Sequence, residues 1–234
     1  MNNRRLIAKG IRDAVPIILA YFPIAMTFGV ISTGNGIPWL VTILISVWVY
    51  AGGAQFMLVS LALAGSSVIS TVATVLLVNL RHFLYGTSLG PAFIHWSEPK
   101  KWLSAFGLTD EVFVVASNRY LQEPPFPRYH LAFVFACYGS WLAGTLVGAS
   151  IGQTVPAAVS QILGFALPAL FLALLLSSKR SGAHIAAAIF GAILAVAAHL
   201  LQLGNVGLVV GAVIGATLGL ICQNFVESCK QTNL

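Results

Sequence analysis

The sequence predicts an all-α fold, a polytopic bundle of seven or eight transmembrane segments with broken helices among them. Of the 234 residues, 58% are hydrophobic and only 8% are charged, whereas soluble domains carry about 25% charged residues. The mean hydropathy is +0.91, and apolar stretches of about 20 residues, the length that crosses a bilayer as a helix, recur along the chain. The net charge of +6 lies mainly at the ends and in loops. We therefore expect a lipid environment and no nucleic-acid partner.

Eight apolar stretches are candidate membrane segments. They cover residues 15–32, 39–64, 67–89, 103–117, 129–151, 157–176, 184–201 and 206–225. The first follows a basic N-terminus but continues past the length of a signal-peptide apolar region without an A-x-A cleavage site, so we expect it to remain as a spanning helix. The fourth is short and is interrupted by Asp110 and Glu111. That segment is the reason for giving the count as seven or eight.

The basic residues predict a cytoplasmic N-terminus, because positive charge accumulates on the cytoplasmic side. If all eight segments cross, only Lys100 and Lys101 lie outside. The inside then carries Arg4, Arg5, Lys9, Arg12, Arg119, Arg128, Lys179, Arg180 and Lys230. If segment 103–117 does not cross, Lys179 and Arg180 move outside, which the rule disfavours. The bias favours an even number of spans with both ends inside.

We interpret residues 1–234 as one transmembrane transporter domain with two repeat halves, 14–117 and 129–225. Tyr50-Ala51 in the second segment aligns with Phe165-Ala166 in the sixth, and His82 then falls opposite His199. Transporters are often built from such repeats. Eight spans would make the halves parallel, and a fourth segment that does not span would make them inverted. Unrelated apolar segments can also align this well.

Arg81 is the first clue to function, because it lies midway along an otherwise apolar segment. A cation at the centre of a membrane helix costs about 2.5–3.5 kcal/mol on insertion scales and is almost always turned toward a partner or a watery cavity. Asn79 and His82 flank it. The alternatives are that Arg81 extends to the membrane surface and that His82 is a packing residue. We expect instead that Asn79, Arg81 and His82 belong to a binding or coupling site.

Asp110 and Glu111 supply the complementary charge. Adjacent side chains on a helix point about 100° apart, so we expect at most one of the two acids to face Arg81. The other could cap a helix, titrate or face water. The alternative is that both lie in an interfacial loop, against which stands the apolar run at residues 112–116.

Gly52 and Gly53 interrupt a long apolar segment and are followed by Gln55 and Phe56. Adjacent glycines disfavour helix, and irregular backbone at membrane depth must face protein or a water-lined cavity. One interpretation is close helix packing through small residues. The interpretation we favour is an unwound segment that contacts substrate, with Gln55 as a hydrogen-bonding side chain.

Nothing in the sequence indicates an enzyme. Cys137, Cys222 and Cys229 lack metal-ligand spacing, and His184 and His199 lie in apolar surroundings, where we expect structural roles. The metalloprotease motif H-E-x-x-H and the Walker-type nucleotide-binding motif are absent from the sequence. We therefore expect no catalytic residue, no metal and no cofactor.

Several short motifs, in order, resemble the AzlC family, the large subunit of bacterial branched-chain amino acid exporters. They are Gly10-Ile11-Arg12-Asp13-Ala14-Val15-Pro16, Tyr21-Phe22-Pro23-Ile24-Ala25, Phe28-Gly29, Ala51-Gly52-Gly53-Ala54-Gln55-Phe56, Asn79-Leu80-Arg81-His82-Phe83-Leu84-Tyr85-Gly86 and Thr109-Asp110-Glu111. The resemblance covers essentially the whole chain and is strongest in its first half. It implies export of amino acids across the bacterial inner membrane and a small membrane partner of the AzlD type.

A mechanism follows as a hypothesis. Arg81 binds the substrate carboxylate, Asp110 or Glu111 pairs with the ammonium or titrates with a proton, and Gln55 with the backbone near Gly52 and Gly53 hydrogen-bonds the substrate. Phe56, Phe83 and Leu84 shape an apolar pocket for the substrate side chain. The competing functions are transport of another small polar or carboxylate solute and a scaffold subunit that does not transport.

Overall fold

The computed structural model describes residues 3–165, 169, 172, 182–201, 214–215, 217–219 and 221. Its described residues contain helices and turns and no strand. The helices, numbered as described, are α1 Asn3–Gly34, α2 Trp39–Trp48, α3 Gly52–Leu63, α4 Val68–Leu89, α5 Glu98–Phe106, α6 Asp110–Tyr120, α7 Pro127–Ile151, α8 Ala157–Leu163 and α9 Gly182–Leu200, with a 3₁₀ turn at Gly90–Phe93. The chain divides into two compact units, Met1–Ala169 and Leu170–Leu234.

The first unit is built on α1 and α7, which pack side by side in the same direction. Modelling a Cβ onto their glycines shows how close the backbones come: at Gly10 it would lie 2.4 Å from the carbonyl oxygen of Tyr129, and at Gly29 it would lie 2.4 Å from the backbone nitrogen of Ala149. Small residues permit such contact between membrane helices. Because Gly10 pairs with Tyr129 and Gly29 with Ala149, both helices run from a first end, near Gly10, to a second end, near Gly29.

α1 is longer than predicted, since it begins at Asn3 rather than near residue 15 and contains both Pro16 and Pro23. Its 32 residues extend about 48 Å, well beyond a hydrocarbon core of about 30 Å. The additional turns carry the basic N-terminus and pack on the start of α7 through Gly10. Tertiary packing therefore extends this helix beyond its apolar stretch.

α4 runs in the opposite direction to α1. Its middle lies beside the first turn of α6, where Nη1 of Arg81 is 2.9 Å from Oδ2 of Asp110. The 3₁₀ turn that follows reaches the first end, where the Phe93 ring lies 4.9 Å from the ring of His130 and 5.7 Å from that of Tyr120. α4 therefore passes from the second end to the first.

Segment 39–64 is two helices, α2 and α3, which we call hairpin 1. It begins at the second end, where the backbone N–H of Ile37 bonds to the carbonyl of Ser32 at 3.0 Å. Its tip, Val49–Ala51, lies at mid-depth, where the rings of Tyr50 and Tyr138 are 5.0 Å apart. α3 then turns back toward the start of α4 at the second end, so both ends of hairpin 1 lie on the same side.

Segment 103–117 is also a hairpin, made of α5 and α6, which we call hairpin 2. α5 starts at the first end, where the Ser104 hydroxyl lies 2.7 Å from Nε2 of His130. The tip at residues 107–109 contains Gly107, where a Cβ would fall 1.8 Å from Cγ1 of Val134. α6 returns to the first end, where Arg119 bonds to Asp13 of α1.

The two hairpins enter from opposite ends and meet at mid-depth, where the rings of Tyr50 and Phe106 lie 6.4 Å apart. The prediction that 39–64 crosses as a span is corrected accordingly, and 103–117, whose crossing the sequence left open, likewise returns to the end it came from. Three described helices are long and apolar enough to cross a membrane, namely α1, α4 with its 3₁₀ turn, and α7. The broken helices predicted from the sequence are confirmed, although the first break lies at Val49–Ala51, just ahead of the glycines.

Residues 3–63 and 68–120 have the same architecture. Each consists of a spanning helix and a hairpin that enters from the end where that helix finishes. The spanning helices of the two segments run in opposite directions. The predicted repeat halves 14–117 and 129–225 remain a prediction, because residue 166 and most of segment 206–225 lie outside the described residues. In the second unit, α9 packs closely on a neighbouring helix, since a Cβ at Gly215 would lie 2.7 Å from Cα of Gly191.

Candidate functional site

Arg81 and Tyr85 lie one turn apart on α4 and face the tip of hairpin 2. Ser67 is the N-cap of α4: its hydroxyl oxygen accepts a hydrogen bond from the backbone N–H of Ser70 at 3.2 Å. Residues four apart share one face of a helix, so the two side chains reach the same acceptor. That acceptor is the carboxylate of Asp110.

Asp110 is the centre of the site. Its Oδ2 lies 2.9 Å from Nη1 of Arg81, and its Oδ1 accepts a hydrogen bond from the Tyr85 hydroxyl at 2.5 Å. The Arg81 and Asp110 side chains are 29% and 18% exposed, so the pair is mostly enclosed but still reachable. Asp110 is the first residue of α6, where free backbone N–H groups and the helix dipole stabilise a carboxylate. The predicted pairing of Arg81 with one of the two acids is confirmed.

Glu111 points to the other side, toward α1. The Tyr21 hydroxyl donates a hydrogen bond to its Oε2 at 2.5 Å, and the same hydroxyl lies 2.6 Å from Oγ1 of Thr109. Thr109 also caps α6, because its Oγ1 accepts a hydrogen bond from the backbone N–H of Val112 at 3.4 Å. Adjacent acids therefore have separate partners, as the angle between neighbouring helical side chains requires.

Aromatic side chains enclose this polar cluster. The ring of Tyr21 packs edge-on against Trp141 at 5.2 Å and against Tyr50 at 6.4 Å. On the far side, Tyr85 stacks on Phe113 at 4.4 Å. Tyr21 and Tyr50 are 2% and 6% exposed. Hydrogen bonds in such a dry environment are stronger than in water, and an unpaired charge there is correspondingly costly.

Gln55 anchors the tip of hairpin 1 to α7. It is fully buried. Its amide nitrogen donates to the carbonyl of Val49 at 2.5 Å, and its amide oxygen accepts from the indole N–H of Trp141 at 3.2 Å. The Ser46 hydroxyl donates a second hydrogen bond to the same oxygen at 3.4 Å. Both polar ends of Gln55 are thus occupied by the protein, and the bond to Val49 stabilises the break between α2 and α3.

The other residues predicted on hairpin 1 are positioned by α1 and α7. A Cβ at Gly52 would lie 2.8 Å from the Trp141 ring, and Phe56 packs edge-on against Phe28 at 5.5 Å. Gly53 is half-buried. These residues shape the tip of hairpin 1, whereas Arg81 and Asp110 come together from α4 and hairpin 2.

Asn79 and His82 lie beside Arg81 on α4. Nδ1 of His82 is 3.2 Å from the backbone carbonyl oxygen of Asn79, and its ring is edge-on to Tyr85 at 5.5 Å. The side-chain oxygen of Asn79 is buried and has no hydrogen-bond partner among the described residues. A buried acceptor without a donor is uncommon, but Asn79 and Arg81 are two residues apart on the helix, so their side chains do not share a face.

Within the described residues, no group of three or more histidines, cysteines, aspartates or glutamates is arranged to hold a metal ion. His184 and His199 lie on α9, and their side chains fall outside the described residues.

The family model for the AzlC protein matches residues 16–155. The chain belongs to the AzlC family. It is 36% identical over 226 residues to the inner membrane protein YgaZ of Escherichia coli, covering 91% of this chain and 89% of that one. An uncharacterized membrane protein of Archaeoglobus fulgidus is 35% identical, with 93% and 96% covered. The branched-chain amino acid transport protein AzlC of Bacillus subtilis is 25% identical, with 88% and 82% covered. No solved structure matches.

In this AzlC-family chain, the residues at the site that were given no role from the sequence include Tyr21, Tyr85 and Trp141. Tyr85 could have been found, because it follows Arg81 by four residues and so shares its helix face. Tyr21 and Trp141 carry no such signal, since an aromatic residue in an apolar helix does not by itself require a polar partner.

A second ionic cluster closes the base of hairpin 2 at the first end. Nη1 of Arg119 lies 2.9 Å from Oδ2 of Asp13, its Nη2 pairs with Glu123, and its guanidinium carbon lies 3.8 Å from the Tyr129 ring centroid. Lys9 Nζ lies 3.1 Å from Oε1 of Glu123. The hydrogen bond from Lys9 and the charge of Arg119 lower the pKa of Glu123 below its usual value. The cluster ties α6 to α1 and α7.

Proposed function

We propose that the protein exports branched-chain and related amino acids across the bacterial inner membrane. The observation that carries this proposal is the Arg81–Asp110 ion pair, placed where α4 meets the tip of hairpin 2. Discontinuous helices that meet near the bilayer midplane are the usual site of substrate binding in secondary transporters. The name of the Bacillus subtilis relative, a branched-chain amino acid transport protein, supports the choice of substrate.

A zwitterionic amino acid carries the two charges that this pair can bind. The guanidinium of Arg81 holds the carboxylate through two parallel N–H bonds, and Asp110, oriented by Tyr85, pairs with the ammonium. In the empty site the two side chains neutralise each other, which avoids leaving one buried charge alone. Substrate binding exchanges this one ion pair for two.

The remaining predicted residues complete the site. Asn79 and His82 flank Arg81 on the same stretch of α4, where the His82 ring lies against Tyr85. Gly52, Gly53, Gln55 and Phe56 follow the tip of hairpin 1 in the first turns of the next helix, where Gln55 fixes the tip and Phe56 shapes the apolar part of the pocket.

The distribution of basic residues supports an orientation with the first end in the cytoplasm. The connections at the second end, residues 35–38, 64–67 and 152–156, contain no lysine or arginine. The hairpins also move Lys100 and Lys101 to the first end, which joins them to the basic N-terminus. Over residues 3–165, this arrangement agrees with the positive-inside rule better than full crossing of segments 39–64 and 103–117 does, which supports a cytoplasmic N-terminus.

A small membrane subunit of the AzlD type is the proposed partner, and a proton is the proposed coupling ion. The partner follows from the family, and the coupling from two acids that share one site with a single arginine. Export against a gradient needs such an energy source, and a carboxylate at membrane depth is a usual proton carrier.

Efflux from vesicles tests the proposal. Membrane vesicles containing the chain and its small partner are loaded with labelled leucine, and competition is measured with valine, with 4-methylvalerate, which lacks the ammonium, and with isoamylamine, which lacks the carboxylate. We expect saturable efflux of leucine, competition by valine and little by the other two.

Two results would contradict the proposal. Equal competition by 4-methylvalerate would indicate a carboxylate transporter instead. Absence of efflux from vesicles with both subunits correctly inserted would indicate a scaffold. An Arg81→Ala variant that inserts normally and exports as well as the wild type would remove the carboxylate role of Arg81.

A further inference from the structure

Asp110 and Glu111 lie side by side at the tip of hairpin 2, and they differ in whether a cation pairs with the carboxylate. Asp110 is paired with Arg81. For Glu111, no lysine, arginine or histidine among the described residues lies within 4.0 Å of the carboxylate, and its side chain is half-buried. A carboxylate at membrane depth without a cation is costly when ionised and much less so when protonated. Glu111 is therefore the acid that is suited to gain and lose a proton.

The hydrogen bonds of Glu111 accommodate both protonation states. When Glu111 is ionised, the Thr109 hydroxyl donates to the Tyr21 oxygen and the Tyr21 hydroxyl donates to Oε2 of Glu111. When Glu111 carries a proton, it donates to the Tyr21 oxygen, and the Tyr21 hydroxyl donates to Oγ1 of Thr109. The distances of 2.5 Å and 2.6 Å suit either direction, because a hydroxyl can both donate and accept. Reversal of this chain leaves Glu111 and Tyr21 hydrogen-bonded in both states.

We propose that Glu111 is the proton-binding residue of this transporter, separate from the substrate-binding pair Arg81–Asp110, and that Tyr21 and Thr109 are positioning residues for it. The proposal deepens the export function given above and rests on it. The proton binds to the Glu111 carboxylate from one side of the membrane and leaves from the same oxygen to the other side.

Competition between proton and substrate follows from the local charge. With Glu111 ionised, the site contains one arginine and two carboxylates, and this negative excess attracts the ammonium of the substrate. Protonation of Glu111 removes the excess, so proton and amino acid disfavour each other. Mutual exclusion of this kind gives exchange of a proton for an amino acid, which drives export.

The titratable groups around Glu111 are compatible with this role. They are Tyr21 on α1, Tyr50 at the tip of hairpin 1, Arg81 and Tyr85 on α4, Asp110 on α6 and Cys137 on α7. Among these, Tyr50 has a buried hydroxyl that makes no hydrogen bond in the described part of the chain. Its ring lies 6.4 Å from that of Tyr21, so an unpartnered polar group from the opposite hairpin lies beside the Glu111–Tyr21 bond.

The test compares two kinds of transport in vesicles that contain the full chain and its small partner, with the membrane potential clamped. For exchange of one proton per leucine, a pH gradient of about one unit supports about tenfold leucine accumulation in the wild type. Glu111→Gln should show no accumulation, yet retain leucine counterflow at saturating leucine, because Arg81 and Asp110 are intact. Its apparent leucine affinity should no longer depend on pH. Asp110→Asn should lose counterflow as well.

A matched control and a second variant keep the test decisive. Glu98→Gln changes another glutamate, 72% exposed at the first end, and should behave as the wild type does. Tyr21→Phe keeps the ring but removes a hydroxyl that bonds to Glu111 in both states and more strongly to the ionised one, because a charge-assisted hydrogen bond is stronger than a neutral one. It should move the pH dependence of leucine affinity to higher pH.

The inference is overturned if Glu111→Gln still accumulates leucine, or if it inserts correctly but loses counterflow. It is also overturned if Tyr21→Phe leaves the pH profile unchanged. Absence of leucine counterflow in the wild type would instead contradict the export function itself, so the two failures are distinguishable.

Discussion

Gly148 of α7 lies so close to Met26 of α1 that a Cβ at Gly148 would fall 1.9 Å from the Met26 carbonyl oxygen. We predict that Gly148→Ala separates the two helices and costs about 3 kcal/mol or more, the upper end of ordinary overpacking, because backbone meets backbone and neither can move aside. The measurement is the unfolding midpoint in detergent together with the amount of protein in the membrane.

Gly139→Ala is the control for this prediction, since a Cβ at Gly139 meets nothing within 4 Å. Replacing that glycine should leave stability unchanged or raise it slightly through better helix propensity. Equal effects of the two substitutions would contradict the proposed helix contact.

The Arg81–Asp110 pair predicts a non-additive double-mutant cycle. Arg81→Gln and Asp110→Asn each remove one side of this ion pair, which costs less than the about 3–5 kcal/mol of a fully buried pair because both side chains are partly exposed. The double variant should be more stable than either single variant, and none of the three should transport. The exposed pair Lys101–Glu98 serves as the comparison, where the same cycle should give at most about 0.5 kcal/mol. Additive effects at Arg81 and Asp110 would contradict the pairing.

Gln55 should matter for stability as much as for transport. Gln55→Met keeps the volume but removes the acceptor for the Trp141 indole and the donor to Val49. Leaving such buried groups unsatisfied costs about 1–3 kcal/mol each, which unfolding in detergent would detect. Ser60→Ala, which removes an exposed hydroxyl from the same hairpin, should have little effect.

The ionic cluster at the first end gives a pH prediction with a definite sign. The pKa of Glu123 is lowered in the folded protein, so its contribution to stability is present above its ordinary value of 4.5 and is lost as the pH falls through the folded value. The melting temperatures of the wild type and Glu123→Gln should therefore differ slightly at pH 7 and converge in acid. The difference should be small because Glu123 is exposed and salt screens it. A difference that grows in acid would contradict this assignment.

Cysteine accessibility distinguishes the hairpins from full spans. In a cysteine-free background, Ser97→Cys and Gln122→Cys should both react with an impermeant reagent from the cytoplasmic side, and Asn35→Cys and Ser66→Cys from the opposite side. If segments 39–64 and 103–117 crossed fully, Ser66→Cys would react from the cytoplasm and Ser97→Cys from outside. The two arrangements thus differ at positions 66 and 97.

The helical membrane fold could be predicted from the sequence because it follows from local composition. The ion pair between Arg81 and an acid could be predicted because an unpaired buried charge is costly. It could not give the direction of the two broken segments. A helix break is visible as glycines or as polar residues, but whether the chain continues or returns depends on contacts with distant residues. Here those contacts are Gln55 with Trp141 and Arg119 with Asp13. The partner of Glu111 was missed for the same reason, since Tyr21 lies 90 residues away.

The encounter of Tyr50 and Phe106 at mid-depth means that neither hairpin closes the membrane alone. Each hairpin fills only the half of the permeability barrier on its own side, so a path to one side opens when a single hairpin withdraws. Different kinds of contact hold the two hairpins in place. Hairpin 2 is fixed at its base by charged contacts that weaken with salt and acid, whereas hairpin 1, whose residues 39–63 include no charged side chain, is held at its tip by Gln55. We therefore expect electrostatic contacts to oppose withdrawal of hairpin 2 and uncharged hydrogen bonds to oppose withdrawal of hairpin 1.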